Sequence, residues 1–204
     1  YFEHSQVPRE MTRDDMDRVK AAFVTAFERA ARAGFDMAEL HCAHGYLLDS
    51  FMWDQMNGRD DDWGGDLARR TRFPVKVVEA VREAVGPDMP IIFRISQWKL
   101  QDYDAQLADT PEGIGTVVQA LAEAGVDIFD VSTRVFSRPA FAGSDMGLAG
   151  WIRRLSGRPT MTVGGIGFDK ELAASFTQQT TVLDNLDEVV RRFEAGEFDL
   201  VAIG

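Results

Sequence analysis

Three side chains concentrate the chemistry of this sequence: His41, His44 and Tyr46, in the run Leu40-His-Cys-Ala-His-Gly-Tyr-Leu47. Two imidazoles and a phenol within one turn of chain supply two hydrogen-bond donors and a weak acid. Donors aimed at an oxygen that gains negative charge during a reaction lower its barrier, so the set suits a substrate with a carbonyl-type oxygen. The bland alternative is a pair of satisfied structural histidines. A metal pair is disfavoured because no third ligand stands at metal-site spacing, and no metal is expected. A second catalytic reading uses His41 and His44 as acid and base of a hydrolase or lyase. Cys42 faces away from its histidine neighbours if strand alternation persists.

Two further features carry chemistry. Arg94 interrupts the apolar run Ile91-Ile-Phe-Arg-Ile-Ser96, and a guanidinium buried there without an anionic partner would cost several kcal/mol. Asp36, Glu39 and Asp130 are the carboxylates that could meet it inside the fold. Val163-Gly164-Gly165-Ile166-Gly167 follows another apolar run, where glycines let backbone N–H groups approach a phosphate; a plain turn is the alternative. The arginines Arg69, Arg70 and Arg72 read as a solvated or ion-paired helix start, and Asp60 to Asp62 as a solvated charge run.

The elements that must position these groups alternate between short apolar or β-branched runs and longer amphipathic ones, the pattern of parallel strands joined by crossover helices. Strands are predicted at Phe35 to His41, Ile91 to Ser96, Asp127 to Thr133, Thr160 to Gly164 and Asp199 to Gly204. Helices are predicted from a cap at Thr12 or Asp14 to Arg32, from Arg72 to Val85, and from Thr110-Pro111 to Ala124. The junctions Ala33-Gly-Phe-Asp36 and Ala124-Gly-Val-Asp127 resemble one another, which suggests a βα repeat. An α/β fold of the (β/α)8 TIM-barrel type is therefore expected, with an open doubly wound sheet as the alternative. Such a barrel has eight strands and usually about 250 residues. The chain thus reads as part of a longer barrel cut at both ends, and residues 1–204 as one partial domain. The histidine cluster then sits at the C-terminal end of a barrel strand, where active sites are built. The stretches Gln97 to Asp109 and Arg134 to Asp145 are predicted as long loops at the same edge, candidates for substrate selection.

Composition narrows the partner. The 204 residues carry 22 Lys plus Arg against 33 Asp plus Glu, a net charge of −11, which argues against nucleic acid or an anionic membrane and for a small molecule. At 45% hydrophobic and 27% charged, the chain can bury one core. The single cysteine excludes an internal disulfide and fits a cytoplasmic location. No run is apolar enough to span a bilayer and no secretory signal is legible. A homo-oligomer is left open.

With these residues in view the sequence resembles the old yellow enzyme family of FMN-dependent ene-reductases. The resemblance rests on Glu39-Leu-His-Cys-Ala-His-Gly-Tyr-Leu-Leu-Asp-Ser-Phe51, followed by Asn57, Arg59, Asp61 and Trp63-Gly64-Gly65. Val7-Pro-Arg-Glu-Met-Thr12 stands ahead of it, and Arg69-Arg-Thr-Arg-Phe73 takes the place of the usual Asn-Arg-x-Arg-Phe. The segment Met52 to Asp60 departs from the family pattern at the pocket rim. The similarity continues to Val163-Gly164-Gly165 and Ile203-Gly204, and implies that about strands 4 to 8 of the barrel are present.

The resemblance implies a function residue by residue. His41 and His44 would grip the activating oxygen of an α,β-unsaturated carbonyl or similar alkene, and Tyr46 would protonate Cα. FMN, reduced by NAD(P)H, would deliver a hydride to the β-carbon. The histidines bond better to the enolate-like state than to the ground state, which is what makes them catalytic. A free phenol titrates near about 10, so such a side chain holds its proton at neutral pH. Arg94 would lie beside the flavin, and Gly164, Gly165 and Gly204 in its phosphate grip. A barrel fragment inactive by itself is the remaining alternative.

Overall fold

The structure, a computed structural model, describes residues 9–168 and 181–203. Five parallel strands, β1 (Ala38–His44), β2 (Ile91–Lys99), β3 (Ile128–Ser132), β4 (Thr160–Val163) and β5 (Leu200–Val201), form one sheet in chain order. A doubly wound sheet reverses its order at a switch point; this one advances one strand at a time, as a barrel wall does. The helices are α1 (Arg13–Arg32), α2 (Leu47–Met52), α3 (Leu67–Val85), α4 (Pro111–Ala124), α5 (Leu148–Ser156) and α6 (Leu186–Glu194). Helix α3 packs on both α1 and α4, and α4 on α5, as a barrel's outer layer does. Among the described residues no helix is long and apolar enough to cross a membrane.

Local signals explain most helix ends. Thr12 caps α1 by accepting from the Asp15 N–H, and the Asp15 carboxylate returns a bond to the Thr12 backbone, closing a capping box. Thr110 caps α4 ahead of Pro111, and Gly125 ends it with φ 120°, a left-handed conformation that costs glycine little. Helix α3 starts at Leu67 rather than at the expected Arg72. Asp66 caps it through the Arg69 N–H, so Pro74 lies inside the helix instead of in its first turn. Arg69 and Arg70 are not simply solvated: Arg69 Nη2 donates to the Asp61 carbonyl at 2.8 Å and Arg70 Nε to the Met52 carbonyl at 2.7 Å, pinning the added turn.

The sheet has two chemically distinct faces. Leu40, Cys42, Phe93, Ile95, Phe129 and Val131 are buried against helix residues such as Val77, Val81, Val117 and Leu121. Full burial of each large apolar side chain contributes about 1.5–3 kcal/mol. The alternate positions, Glu39 and His41, Arg94 and Ser96, Asp130 and Ser132, lie on the opposite, inner face, and their register is direct: His41 pairs with Arg94, and Arg94 with Asp130.

Strand β1 begins at Ala38 and ends at His44, displaced from the predicted Phe35 to His41. Phe35 N–H still closes α1 by donating to the Ala30 carbonyl, and its side chain is exposed, so pairing with β2 starts only at Ala38. Strand β2 runs on to Lys99, taking in Gln97 and Trp98, which were expected in a loop. The reason is a buried ion pair: Lys99 Nζ lies 2.7 Å from Asp49 Oδ1 on α2, with both side chains fully buried. Asp49 Oδ2 also accepts the Gly45 N–H at 2.7 Å, so one carboxylate ties the start of α2 to the end of β2.

Removing one partner leaves an uncompensated buried charge. Lys99→Met in the full-length protein is expected to lose about 3–5 kcal/mol of stability. The double variant Asp49→Leu/Lys99→Met should recover part of that loss in denaturant titrations. A single-variant loss below about 1 kcal/mol would show that the pair does not hold this junction.

Candidate active site

The structure brings His41, His44 and Tyr46 together. The His41 ring centroid lies 5.3 Å from that of His44 and 5.1 Å from that of Tyr46, edge to face in both cases. Simple alternation would send His41 and His44 to opposite faces of the sheet. Instead the register with β2 shifts between Cys42 and His44, Ala43 and Cys42 are both buried, and His44 adopts φ 63°. That left-handed conformation is uncommon outside glycine, though less so for histidine. It swings the imidazole to the inner side. Cys42 points into the helix layer, as expected, and burial raises its thiol pKa well above the usual range.

Four contacts hold His44 in place. Its N–H donates to Ser96 Oγ at 2.9 Å and its carbonyl accepts the Leu100 N–H at 3.1 Å. Its ring stacks on Trp98 with centroids 4.3 Å apart, and Nε2 lies 2.7 Å from Ser132 Oγ. Trp98 Nε1–H in turn donates to the Ser132 carbonyl at 3.2 Å. Tyr46 occupies the N-cap position of α2 and is half exposed, so its phenol reaches open space beside His41.

Burial pushes His44 down to about 4, reinforced by the positive potential of His41, Arg94 and Lys99. Burial and Arg94 also lower His41, opposed by Asp130. Both rings are therefore neutral at pH 7, each with one N–H donor and one lone pair. Two neutral donors beside a phenol can grip an oxygen without placing a full positive charge on it.

Arg94 finds its anionic partner within the chain. Its Nη1 lies 3.0 Å from Asp130 Oδ2 and 3.9 Å from Glu39 Oε1; Asp36 takes no part. Burial and the adjacent Asp130 push the Glu39 carboxyl up to about 7. Arg94 Nε remains buried without a hydrogen-bond partner, so the guanidinium keeps a donor uncommitted.

At the end of β4, Gly164 has φ 128°, and a Cβ there would lie 2.0 Å from the Thr133 carbonyl oxygen. The close approach of the chain after β3 therefore requires this glycine by itself. Gly164 and Gly165 carbonyls accept from Phe136 N–H and Asn185 Nδ2, while their own N–H groups have no backbone acceptor among the described residues. Those two N–H groups and the free Arg94 donor are chemically suited to an anionic, hydrogen-bond-accepting cofactor such as FMN. Gly204, predicted as the second half of the phosphate grip, lies outside the described residues.

Sequence reasoning missed Trp98, Ser132, Ser96 and the Asp49–Lys99 pair. The signal for the serines was present: polar residues two apart on successive strands, Arg94 and Ser96, Asp130 and Ser132, mark one face. Asp61, expected to be solvated, is instead held by Arg59 through two bonds of 3.0 and 2.7 Å, which lower its carboxyl to about 2. Among the described residues no group of three or more His, Cys, Asp or Glu could hold a metal ion.

The lowered pKa of His44 has a measurable consequence. Its neutral form is favoured in the folded state, so as pH falls below about 6.5 the unfolded chain takes up a proton that the folded one refuses. Stability is complete above that pH and is lost toward pH 4. Between pH 7 and pH 5 the full-length protein should lose about 1–2 kcal/mol more than its His44→Gln variant in denaturant titrations. Equal slopes would show that the ring is not desolvated.

The chain is similar to proteins of a known family. The model of the NADH:flavin oxidoreductase / NADH oxidase family matches residues 2–183. An NADPH dehydrogenase of Clostridium acetobutylicum is 36% identical over 168 residues, covering 80% of this chain and 48% of its own. An NADPH dehydrogenase of Geobacillus thermodenitrificans is 36% identical across the whole chain and 54% of its own length. An NADH oxidase of Thermoanaerobacter brockii is 37% identical, with 78% of this chain and 25% of its own covered. The solved structure of morphinone reductase in complex with tetrahydroNAD superposes with a TM-score of 0.73 at 23% identity, covering 97% of this chain and 47% of that one, which supports the barrel fold. The chain spans about half, or less, of the length of these relatives. The resemblance to the old yellow enzymes is borne out, and the chain belongs to the NADH:flavin oxidoreductase / NADH oxidase family of FMN-dependent, NAD(P)H-using oxidoreductases.

Proposed function

We propose that the protein containing this chain reduces the C=C bond of α,β-unsaturated carbonyl compounds or similarly activated alkenes, with NAD(P)H as reductant and FMN as carrier. Residues 1–204 form part of its FMN-binding barrel domain. The observation that carries the reading is the convergence of His41, His44 and Tyr46 on one side of the sheet despite a spacing that alternation would split.

In this reading His41 and His44 bind the substrate oxygen as neutral donors. Their N–H groups strengthen their bonds as that oxygen becomes enolate-like, so stabilisation grows toward the transition state. Tyr46 holds the proton delivered to Cα, at the exposed edge where solvent can restore it. Arg94, with the Gly164 and Gly165 N–H groups, would hold FMN, which when bound supplies hydride transfer between nicotinamide and alkene. Asp130 fixes the Arg94 guanidinium and reduces its net charge. A flavin-free hydrolase or lyase using the two histidines is disfavoured by family membership, and predicts a colourless protein.

The full-length protein should purify yellow and be bleached by NADH or NADPH under anaerobic conditions, then regain colour on addition of 2-cyclohexenone. Tyr46→Phe is expected to slow the alkene half-reaction by about 10²–10⁴-fold and to spare reduction by nicotinamide. If only the nicotinamide step suffers, Tyr46 is not the proton donor. The double variant His41→Ala/His44→Ala should keep flavin yet weaken phenol binding by at least about 100-fold, some 2.7 kcal/mol for two donors. Undiminished phenol affinity would remove the oxygen-gripping role.

A further inference from the structure

We infer that Ser132 is a positioning residue that selects the tautomer of His44, holding its imidazole with the proton on Nδ1 and the lone pair on Nε2. The number of hydrogens available to Ser132 and His44 distinguishes the two tautomers. Ser132 is 4% exposed, and its Oγ lies 2.7 Å from His44 Nε2. A hydroxyl carries one hydrogen, and a buried hydrogen needs an acceptor. Among the described residues, His44 Nε2 is the one hydrogen-bond partner of Ser132 Oγ. The neighbouring polar groups are already committed: Trp98 Nε1–H donates to the Ser132 carbonyl, and Ser96 Oγ accepts from His44 N–H while donating to the Trp98 carbonyl. If Nε2 carried the proton, Ser132 Oγ could accept it, but the serine hydrogen would be buried without an acceptor. With the proton on Nδ1, the serine donates to Nε2 and both groups are satisfied.

The same contacts orient the ring. Stacking on Trp98, with an interplanar angle of 26°, sets the plane of the imidazole, and the bond to Ser132 sets its rotation within that plane. Which ring nitrogen bears the proton is decided by the bond the other nitrogen makes. This inference rests on the reading of His44 as a donor to the substrate oxygen. A neutral imidazole has one N–H, so a tautomer with Nε2 protonated and tied to Ser132 would present a lone pair, and repulsion, to that oxygen. Ser132 touches no substrate in this account; it acts through His44.

The test uses full-length protein with 15N-labelled histidine. Long-range proton–nitrogen correlation spectra at neutral pH report which nitrogen of His44 is protonated, with His44→Gln identifying the signal. The wild type should show Nδ1–H. Ser132→Ala should lose that preference, whereas Ser132→Thr, which keeps a hydroxyl, should retain it. Phenol affinity should fall by about tenfold in Ser132→Ala with flavin content unchanged. A wild-type His44 protonated on Nε2, or an unchanged tautomer in Ser132→Ala, would overturn the inference. A tautomer that responds as expected, with phenol binding and alkene kinetics unaffected in both Ser132→Ala and His44→Gln, would instead remove the proposed function and leave the tautomer assignment standing.

Discussion

The site depends on one backbone event, the departure of the chain from β1 at His44 and Gly45. The Asp49–Lys99 pair holds that departure in place. Each charge alone would be untenable at zero exposure, and together they fix the end of β2 against the start of α2. The second Asp49 oxygen accepts the Gly45 N–H, so the turn, the helix and the strand share one carboxylate. With the turn so clamped, His44 can keep a φ of 63° that an unsupported histidine would relax, and Tyr46 is delivered to the same side as His41.

The inner face of the sheet is organised in layers by parallel register. At one level His41, Arg94 and Asp130 stand side by side; at the next lie Ser96 and Ser132, which bond His44. The lower layer balances charge, with Arg94 between Asp130 and a Glu39 carboxyl raised toward neutrality. The upper layer is uncharged and sets direction through hydrogen bonds. The guanidinium of Arg94, joined at His44 by the Lys99 ammonium, adds to burial in lowering the imidazole pKa, so the histidines remain neutral donors.

Much of this was legible before the structure. The five strands, the caps at Thr12 and Thr110 and the histidine–tyrosine cluster follow from residue type and spacing, because each depends on neighbours within a few positions. The errors have a common cause. Phe35 and Met37 look like strand residues, yet both are exposed and Ala38 is the first to pair with β2. Gln97 and Lys99 look like loop residues, and only a carboxylate from another element makes Lys99 a core residue that carries β2 to its end. The helix expected from Arg72 begins at Leu67, because the Asp66 cap and two arginine bonds to distant carbonyls add a turn at its start.

What the sequence by itself determined is the alternation of strands and helices and the identity of the reactive side chains, since periodicity and local capping are properties of contiguous residues. The tertiary structure decided which of those side chains share a face. The register shift after Cys42, the left-handed His44 and the serines that receive it come from strands far apart in the chain, and no local pattern records how such strands are aligned. The partner of Arg94 was open among three carboxylates for the same reason; direct register with Asp130 selects one and brings Glu39 near, while Asp36 lies before the first paired residue of β1.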